Sequence, residues 1–317
     1  MSIIEKAVNK LERKSVESSA EPELPAVSDV EVSSISNSSA NHSHDTARDH
    51  HVTTSSSDAP EIVNIPFERL KGVGMITPDM PRSRIAEEYR SIKRPLLMNI
   101  AGKGAAEVDN INVIMVTSAL QGEGKTFSSI NLAMSIAMER DKTVLYIDAD
   151  ILNASGGALL GVNSDQKGLM DVLENQETAA IADVILNTNL PNLRIISAGR
   201  FHENANELLA SETMSSVIRE LSDRFSDRII IVDTPPLLQT TEASILANLM
   251  GQIVVVVEAE KTSREAVDEA LQHIGGDKIV SMLLNKNKKH HLRKFGGYGY
   301  GYGYGYGNAR PISPQSA

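Results

Sequence analysis

The chain has 317 residues, 41% of them hydrophobic and 23% charged, which is enough for one α/β domain with extensions. It has no Cys, and this excludes a disulfide framework and a thiolate metal site. Its net charge of −10 is unevenly spread: residues 1–60 hold 5 Lys/Arg against 10 Asp/Glu, residues 286–317 hold 6 Lys/Arg and no acid, and the middle, 61–285, is left with −11. An acidic body argues against nucleic acid as a partner, because phosphate backbones demand basic surfaces.

Residues 1–14 place Ile3, Ile4, Ala7, Val8 and Leu11 at helical spacing and predict a short amphipathic helix that docks on this protein or on a partner. A helix this short is marginal alone in water, so a frayed terminus is the competing reading. Residues 15–60 are rich in Ser, Asn, His, Asp and Glu and predict a disordered linker. Its His42, His44, His50 and His51 read as solvated side chains rather than metal ligands, since no scaffold is evident to fix their geometry.

From 61 to 285 short β-rich runs alternate with helical stretches. The runs are Val113–Val116, Val144–Ile147, Leu193–Ile196, Ile229–Val232, Ile253–Val257 and Ile279–Leu284, and Phe127–Glu139 and Met214–Phe225 read as helices. The pattern predicts an α/β fold, a mostly parallel sheet flanked by helices. In such sheets ligands bind beyond the C-terminal ends of the strands, so the chemistry should follow each run. The longest mostly apolar stretch, Ile245–Val257, is broken by Asn248, Gly251 and Gln252 and does not reach the about 20 apolar residues of a span. The N-terminus lacks the apolar core of a signal peptide. Together these predict a cytoplasmic protein that meets a membrane only through a partner.

Ala119 to Thr126 read A-x-x-x-x-G-K-T, a Walker A pattern with Ala for the first Gly, between a strand-like and a helix-like run. Gly122 and Gly124 let backbone N–H groups turn around a phosphate chain, and the following helix offers its positive end. Lys125 reaches the β- and γ-phosphates, and the Thr126 hydroxyl is a ligand for Mg²⁺. In VLYIDAD, Asp148 and Asp150 end a strand; residues i and i+2 share a face, so both carboxylates should meet the phosphate crevice. Such a pair divides metal holding from proton acceptance. RIIIVDTPP ends an apolar run in Asp233, the Walker B pattern. The tail, 286–317, is basic and places Tyr298, Tyr300, Tyr302, Tyr304 and Tyr306 at alternate positions between glycines; the whole chain has 7 tyrosines.

Walker A, the DAD strand end and VDTPP together resemble the bacterial tyrosine kinases, P-loop NTPases related to the MinD/ParA ATPases. The similarity extends through AEEYRSIKR, LPNLRIISAG with NELLAS, VVEAEKTSREAV and LLNK, and includes the terminal tyrosine cluster. The start, MSIIEKAVNKLE, with a Ser-rich linker, looks like the branch found at exopolysaccharide loci. The resemblance implies that Gln121, Gly122, Glu123, Gly124, Lys125, Thr126, Phe127 and Asn285 line ATP, and that Thr126, Asp150 and Asp233 hold Mg²⁺. It implies that Asp148 and Asp150 serve catalysis with Lys125 and Asp233, and that the five tail tyrosines accept phosphate. It also implies an oligomer contact through Glu87, Arg90 and Lys93, a membrane chain-length or activator protein of a polysaccharide export system as partner, and a cognate tyrosine phosphatase. On spacing, Glu87, Arg90 and Lys93 share one helix face opposite Ile85, Tyr89 and Ile92, and Pro95 should end or kink that helix. Departures from the family are Gln121 where Pro is usual, Leu152 where an Arg follows the second Asp, and Lys93 for Arg. A MinD/ParA-like switch without kinase activity is the alternative; those proteins carry a Lys five positions before the P-loop Lys, where this chain has Leu120. A non-catalytic assembly factor with an adhesive Gly-Tyr tail is the third reading.

Overall fold

The structure, a computed structural model, describes residues 62–104, 108–175, 180–224 and 227–287. The expected N-terminal helix, the linker and the Gly-Tyr tail lie outside the described residues.

In chain order the elements are β1 (Ile62–Val63), α1 (Phe67–Gly72), α2 (Arg84–Ile100), β2 (Val113–Ser118), α3 (Lys125–Ala137), β3 (Thr143–Asp148), α4 (Gly156–Leu159), α5 (Leu169–Glu174), β4 (Leu186–Thr188), β5 (Leu193–Ile196), α6 (Ala205–Leu209), α7 (Glu212–Arg224), β6 (Arg228–Asp233), α8 (Thr241–Leu249), β7 (Gln252–Glu258), α9 (Arg264–Gln272) and β8 (Ile279–Asn285). The eight strands form one sheet in the order β1-β4-β5-β3-β6-β2-β7-β8. Every neighbouring pair is parallel except β4 with β5.

All six expected strands are present within a residue or two of the expected bounds. β1 and β4 were not anticipated: at two and three residues they carry no periodic signal and exist by pairing with each other and with β5. The central strands β2, β3 and β6 are buried on both faces, which is why they read as unbroken apolar runs. Their side chains alternate between two cores. Val113, Met115, Leu145 and Ile147 join the layer with α7 and α8, while Ile114, Val116, Val144 and Tyr146 join the layer with α2 and α3. The Ile245–Val257 stretch divides between α8 and β7, and among the described residues no helix is long and apolar enough to cross a membrane.

Helix α2 corrects the placing of Lys93 and is not ended by Pro95. Glu87 and Arg90 are exposed and paired with each other, but Lys93 is buried at 6% exposure. Its ammonium donates to the Ser135 carbonyl and pairs with Glu139 at 2.8 Å, tying α2 to α3. Lys93 lies four residues beyond Tyr89 and seven beyond Ala86, so it shares their buried face with Leu96 rather than the face of Glu87. The helix also runs past Pro95 to Ile100. Tertiary anchoring outweighs the proline: Leu96 is buried, the Leu96 carbonyl accepts from Gln252 Nε2 at 3.3 Å, and Asn99 Nδ2 donates to Gln252 Oε1 at 2.8 Å. Lys93→Ala strands the Ser135 carbonyl and should destabilise the fold by about 1–3 kcal/mol, without altering oligomeric state. Chemical denaturation with sedimentation of the same sample checks both, and an unchanged unfolding midpoint would refute the anchoring role.

Candidate functional site

The loop from Ala119 to Gly124 joins β2 to α3. Gly122 (φ 82°) and Gly124 (φ 100°) hold left-handed backbone that side chains resist. Gly124 caps α3, so the free N–H groups of that helix open directly onto the loop. The loop is braced on one side by the chain after β6: Leu237 N donates to the Ser118 carbonyl at 2.8 Å and Leu238 N to that of Ala119 at 3.2 Å. Ala119, standing for the first Walker glycine, is fully buried.

Register brings the acids together. Asp148 and Asp233 are paired positions at the ends of the adjacent strands β3 and β6. β3 ends at Asp148, but Ala149 N still bonds the Asp233 carbonyl at 2.8 Å, which carries the extended geometry one residue further. Asp150 therefore follows Asp148 onto the α3 side, as the i, i+2 spacing implies, while Ala149 packs in the opposite core. Asp150 Oδ2 lies 3.2 Å from Lys125 Nζ, and both side chains are buried. Asp148 Oδ2 accepts from Gly157 N at 3.1 Å, and Asp233 Oδ2 accepts from the Tyr146 hydroxyl at 3.1 Å.

Three buried carboxylates thus face one lysine. Burial, then the Asp233 and Asp150 charges, push the Asp148 carboxyl well above its ordinary value. Asp233 is also raised, first by burial; the Lys125 charge and the Thr126 and Tyr146 hydroxyls oppose the shift, while Asp150 adds to it. One oxygen of each acid, Oδ1 of Asp148, Asp150 and Asp233, is buried with no hydrogen-bond partner. Unpartnered carboxylate oxygens at an excess of negative charge suit a hard divalent cation. Among the described residues, no three acidic or histidine side chains form a metal cage. Mg²⁺ is held by one or two carboxylates, with phosphate and water supplying the rest.

The nucleotide-lining residues expected from the sequence fall together. Gln121 bonds Asn153 at 3.2 Å, Glu123 Oε2 accepts from Leu120 N at 2.8 Å, and Asn285 Nδ2 donates to the Glu123 carbonyl at 2.8 Å. Phe127 packs partly buried against the α2–α3 core. Glu87 and Arg90 stand on the exposed face of α2, on a separate element. Sequence reasoning missed Tyr146 as a partner of Asp233, and Glu258, Thr262 and Lys286 behind the loop. The last three sit in segments recognised by resemblance, but nothing in their spacing reveals that β7 and β8 end against the loop.

A mostly parallel sheet, a glycine loop capping a buried helix, and acids at the ends of two central strands define a P-loop NTPase. The AAA domain family matches residues 111–288. The tyrosine-protein kinase YwqD of Bacillus subtilis is 30% identical over 221 residues, 69% of this chain and 88% of that one. The tyrosine-protein kinase CpsD of Streptococcus pneumoniae is 32% identical over 206 residues, 63% and 84% of the two chains. Among solved structures, the kinase domain of the Escherichia coli tyrosine kinase ETK superposes with a TM-score of 0.59 at 26% identity, covering 76% of this chain and 94% of that one. The chain belongs to the bacterial tyrosine-protein kinases and is a nucleotide-binding enzyme of that family.

The buried acids carry a stability consequence. An aspartate raised above its ordinary 3.8 destabilises the folded protein as pH rises above that value, because the unfolded chain ionises first. Asp233→Asn removes this penalty and should raise stability at pH 7 without nucleotide by about 1 kcal/mol or more, with no gain at pH 3.5 or below. Thermal melts across pH 3.5–8 test this; a variant less stable than the parent at pH 7 would contradict the excess-charge account.

Proposed function

We propose that this kinase transfers the γ-phosphate of ATP to the tyrosines of its own tail, Tyr298, Tyr300, Tyr302, Tyr304 and Tyr306. One observation carries the reading. Of the chain's 7 tyrosines the only two outside the tail are Tyr89, 4% exposed, and Tyr146, fully buried. Burial also pushes both phenols well above their ordinary value. A phenol that serves as acceptor must reach the phosphate and lose its proton.

In this reading residues 61–285 form the catalytic body and 286–317 the substrate arm. The loop amides of Gln121–Phe127 and Lys125 hold the phosphates, and Asn285 borders the nucleotide. Thr126 and Asp233 would hold Mg²⁺, whose charge would offset that of the ATP phosphates. Asp150 positions Lys125 and would orient the ion or its water. Asp148, with its raised affinity for protons, takes the phenolic proton as the tyrosine oxygen bonds phosphorus and the bond to the β-phosphate oxygen breaks, releasing ADP. The transfer needs positioning and charge neutralisation more than covalent chemistry.

The exposed Glu87–Arg90 pair is the proposed subunit contact. Residues 15–60 are the proposed linker and residues 1–14 a dock for a membrane activator of polysaccharide export, which would hold this cytoplasmic kinase at the inner membrane. A phosphatase would reset the tail. Each phosphate adds about −1.5 to −2 charges, so a few overturn the basic tail and set it against the acidic body.

Truncation after Phe295 should leave ATP binding intact and remove nearly all phosphotyrosine formed with MgATP, as read by immunoblot and mass spectrometry. Label retained on the truncated chain would overturn the tail as acceptor. Lys125→Met should abolish phosphotyrosine in a folded protein; wild-type levels there would overturn the catalytic assignment. Replacing Glu87 and Arg90 together by Ala should shift sedimentation toward monomer, and an unaltered distribution would mark that face as solvated surface.

A further inference from the structure

Behind the phosphate loop, on the side away from β6, lies a group of side chains of which only Asn285 has a part in the proposed reaction. β7 and β8 end side by side, with Glu258 paired to Asn285 in register. From there four side chains reach the loop or each other. The Thr262 hydroxyl bonds Glu123 Oε1, and Asn285 Nδ2 donates to the Glu123 carbonyl at 2.8 Å. Lys286 Nζ donates to the Gly122 carbonyl and to Glu258 Oε2, the latter at 3.0 Å. The fit is close: a Cβ on Gly124 would stand 2.1 Å from Asn285 Nδ2. Lys286 holds a left-handed backbone, φ 56°, unusual for a residue with a long side chain, and its own N–H bonds Asn285 Oδ1 at 2.8 Å.

We propose that Lys286 is a positioning residue for nucleotide binding, closing a latch that turns the loop amides toward the phosphates. The reason lies in the planar trans peptide, whose C=O and following N–H point in opposite directions. Lys286 draws the Gly122 carbonyl outward, so the Glu123 N–H is turned to the other side. Asn285 draws the Glu123 carbonyl outward, so the Gly124 N–H is turned likewise. Two donors of the anion-binding loop are thus aimed by residues that never touch the anion. Glycines at 122 and 124 leave the loop free to adopt other conformations, which gives the latch something to restrain.

Lys286 is also the first residue of the basic tail. The side chain that closes the loop is therefore the one from which the substrate arm departs. Glu258 keeps the ammonium in place: burial works to raise this carboxyl, and the hydrogen bonds from Lys286 and Lys261 outweigh it and hold it below its ordinary value. Lys261 supplies an internal control. Its ammonium pairs with the same Glu258 oxygen at 3.1 Å, but its side chain is 69% exposed.

The inference rests on the reading that the loop cradles ATP phosphates. The test is calorimetric titration of ADP and of MgATP into the full-length protein and into Lys286→Met, Lys286→Arg and Lys261→Met, with melting curves to certify folding. Loss of a charge-assisted hydrogen bond should weaken nucleotide binding by Lys286→Met about tenfold. Lys286→Arg should recover much of the loss, and Lys261→Met should bind within about twofold of wild type. Tight binding by a folded Lys286→Met protein overturns the latch. Equal weakening by Lys261→Met also overturns it, because the effect would then follow the Glu258 ion pair and not the loop. If Lys286→Met does not fold, Lys286→Leu, which also lacks a donor, replaces it, with the same two outcomes. Failure of the wild-type protein to bind either nucleotide would refute the underlying reading instead, and the latch with it.

Discussion

The pairing of β3 with β6 is the constraint on which the site depends. Its register sets Asp148 opposite Asp233 at the ends of two buried strands, and one further extended residue brings Asp150 to the same side. Buried like charges are costly unless compensated. Lys125, the Thr126 and Tyr146 hydroxyls and the Gly157 amide supply part of that compensation from the protein. One oxygen on each acid has no partner within the protein, and such oxygens suit a divalent cation. The surrounding fold follows from this need. Helix α3 must be buried along nearly its whole length to hold Lys125 and Thr126 against the acids, and it is enclosed by the sheet on one side and α2 on the other.

Much of this was legible in the sequence because the informative signals were local. Continuous apolar runs marked the central strands, and glycines followed by Lys-Thr marked the loop. The i, i+2 spacing of Asp148 and Asp150 survived the end of the strand because Ala149 keeps a ladder hydrogen bond. What failed was decided by tertiary contact. A charged side chain reads as surface, yet Lys93 is buried by two acceptors on or beside α3. Proline reads as a helix end, yet Gln252 and the core hold α2 past Pro95. β1 and β4 are too short to show a period, and the residues behind the loop are gathered by the parallel pairing of β7 with β8, a contact across more than twenty residues of chain.

Burial divides the roles among the tyrosines. Tyr146 lies beneath the site as a fixed donor to Asp233, and Tyr89 is a core residue of α2. Neither has the access that an acceptor requires. The tail offers the opposite properties: glycine on both sides of each ring, basic flanks, and a root at Lys286 beside the phosphate loop. In the proposed reading, chemistry that demands a dry cluster of charges is thereby kept apart from its acceptor.

The central claim, that the fold reserves phosphorylation for the tail, is tested most directly by mapping phosphosites on the intact wild-type protein by mass spectrometry after incubation with MgATP. The account expects phosphate on several of Tyr298, Tyr300, Tyr302, Tyr304 and Tyr306 and none on Tyr89 or Tyr146. Substantial occupancy of Tyr89 or Tyr146 in the folded protein, with the tail unmodified, would contradict it.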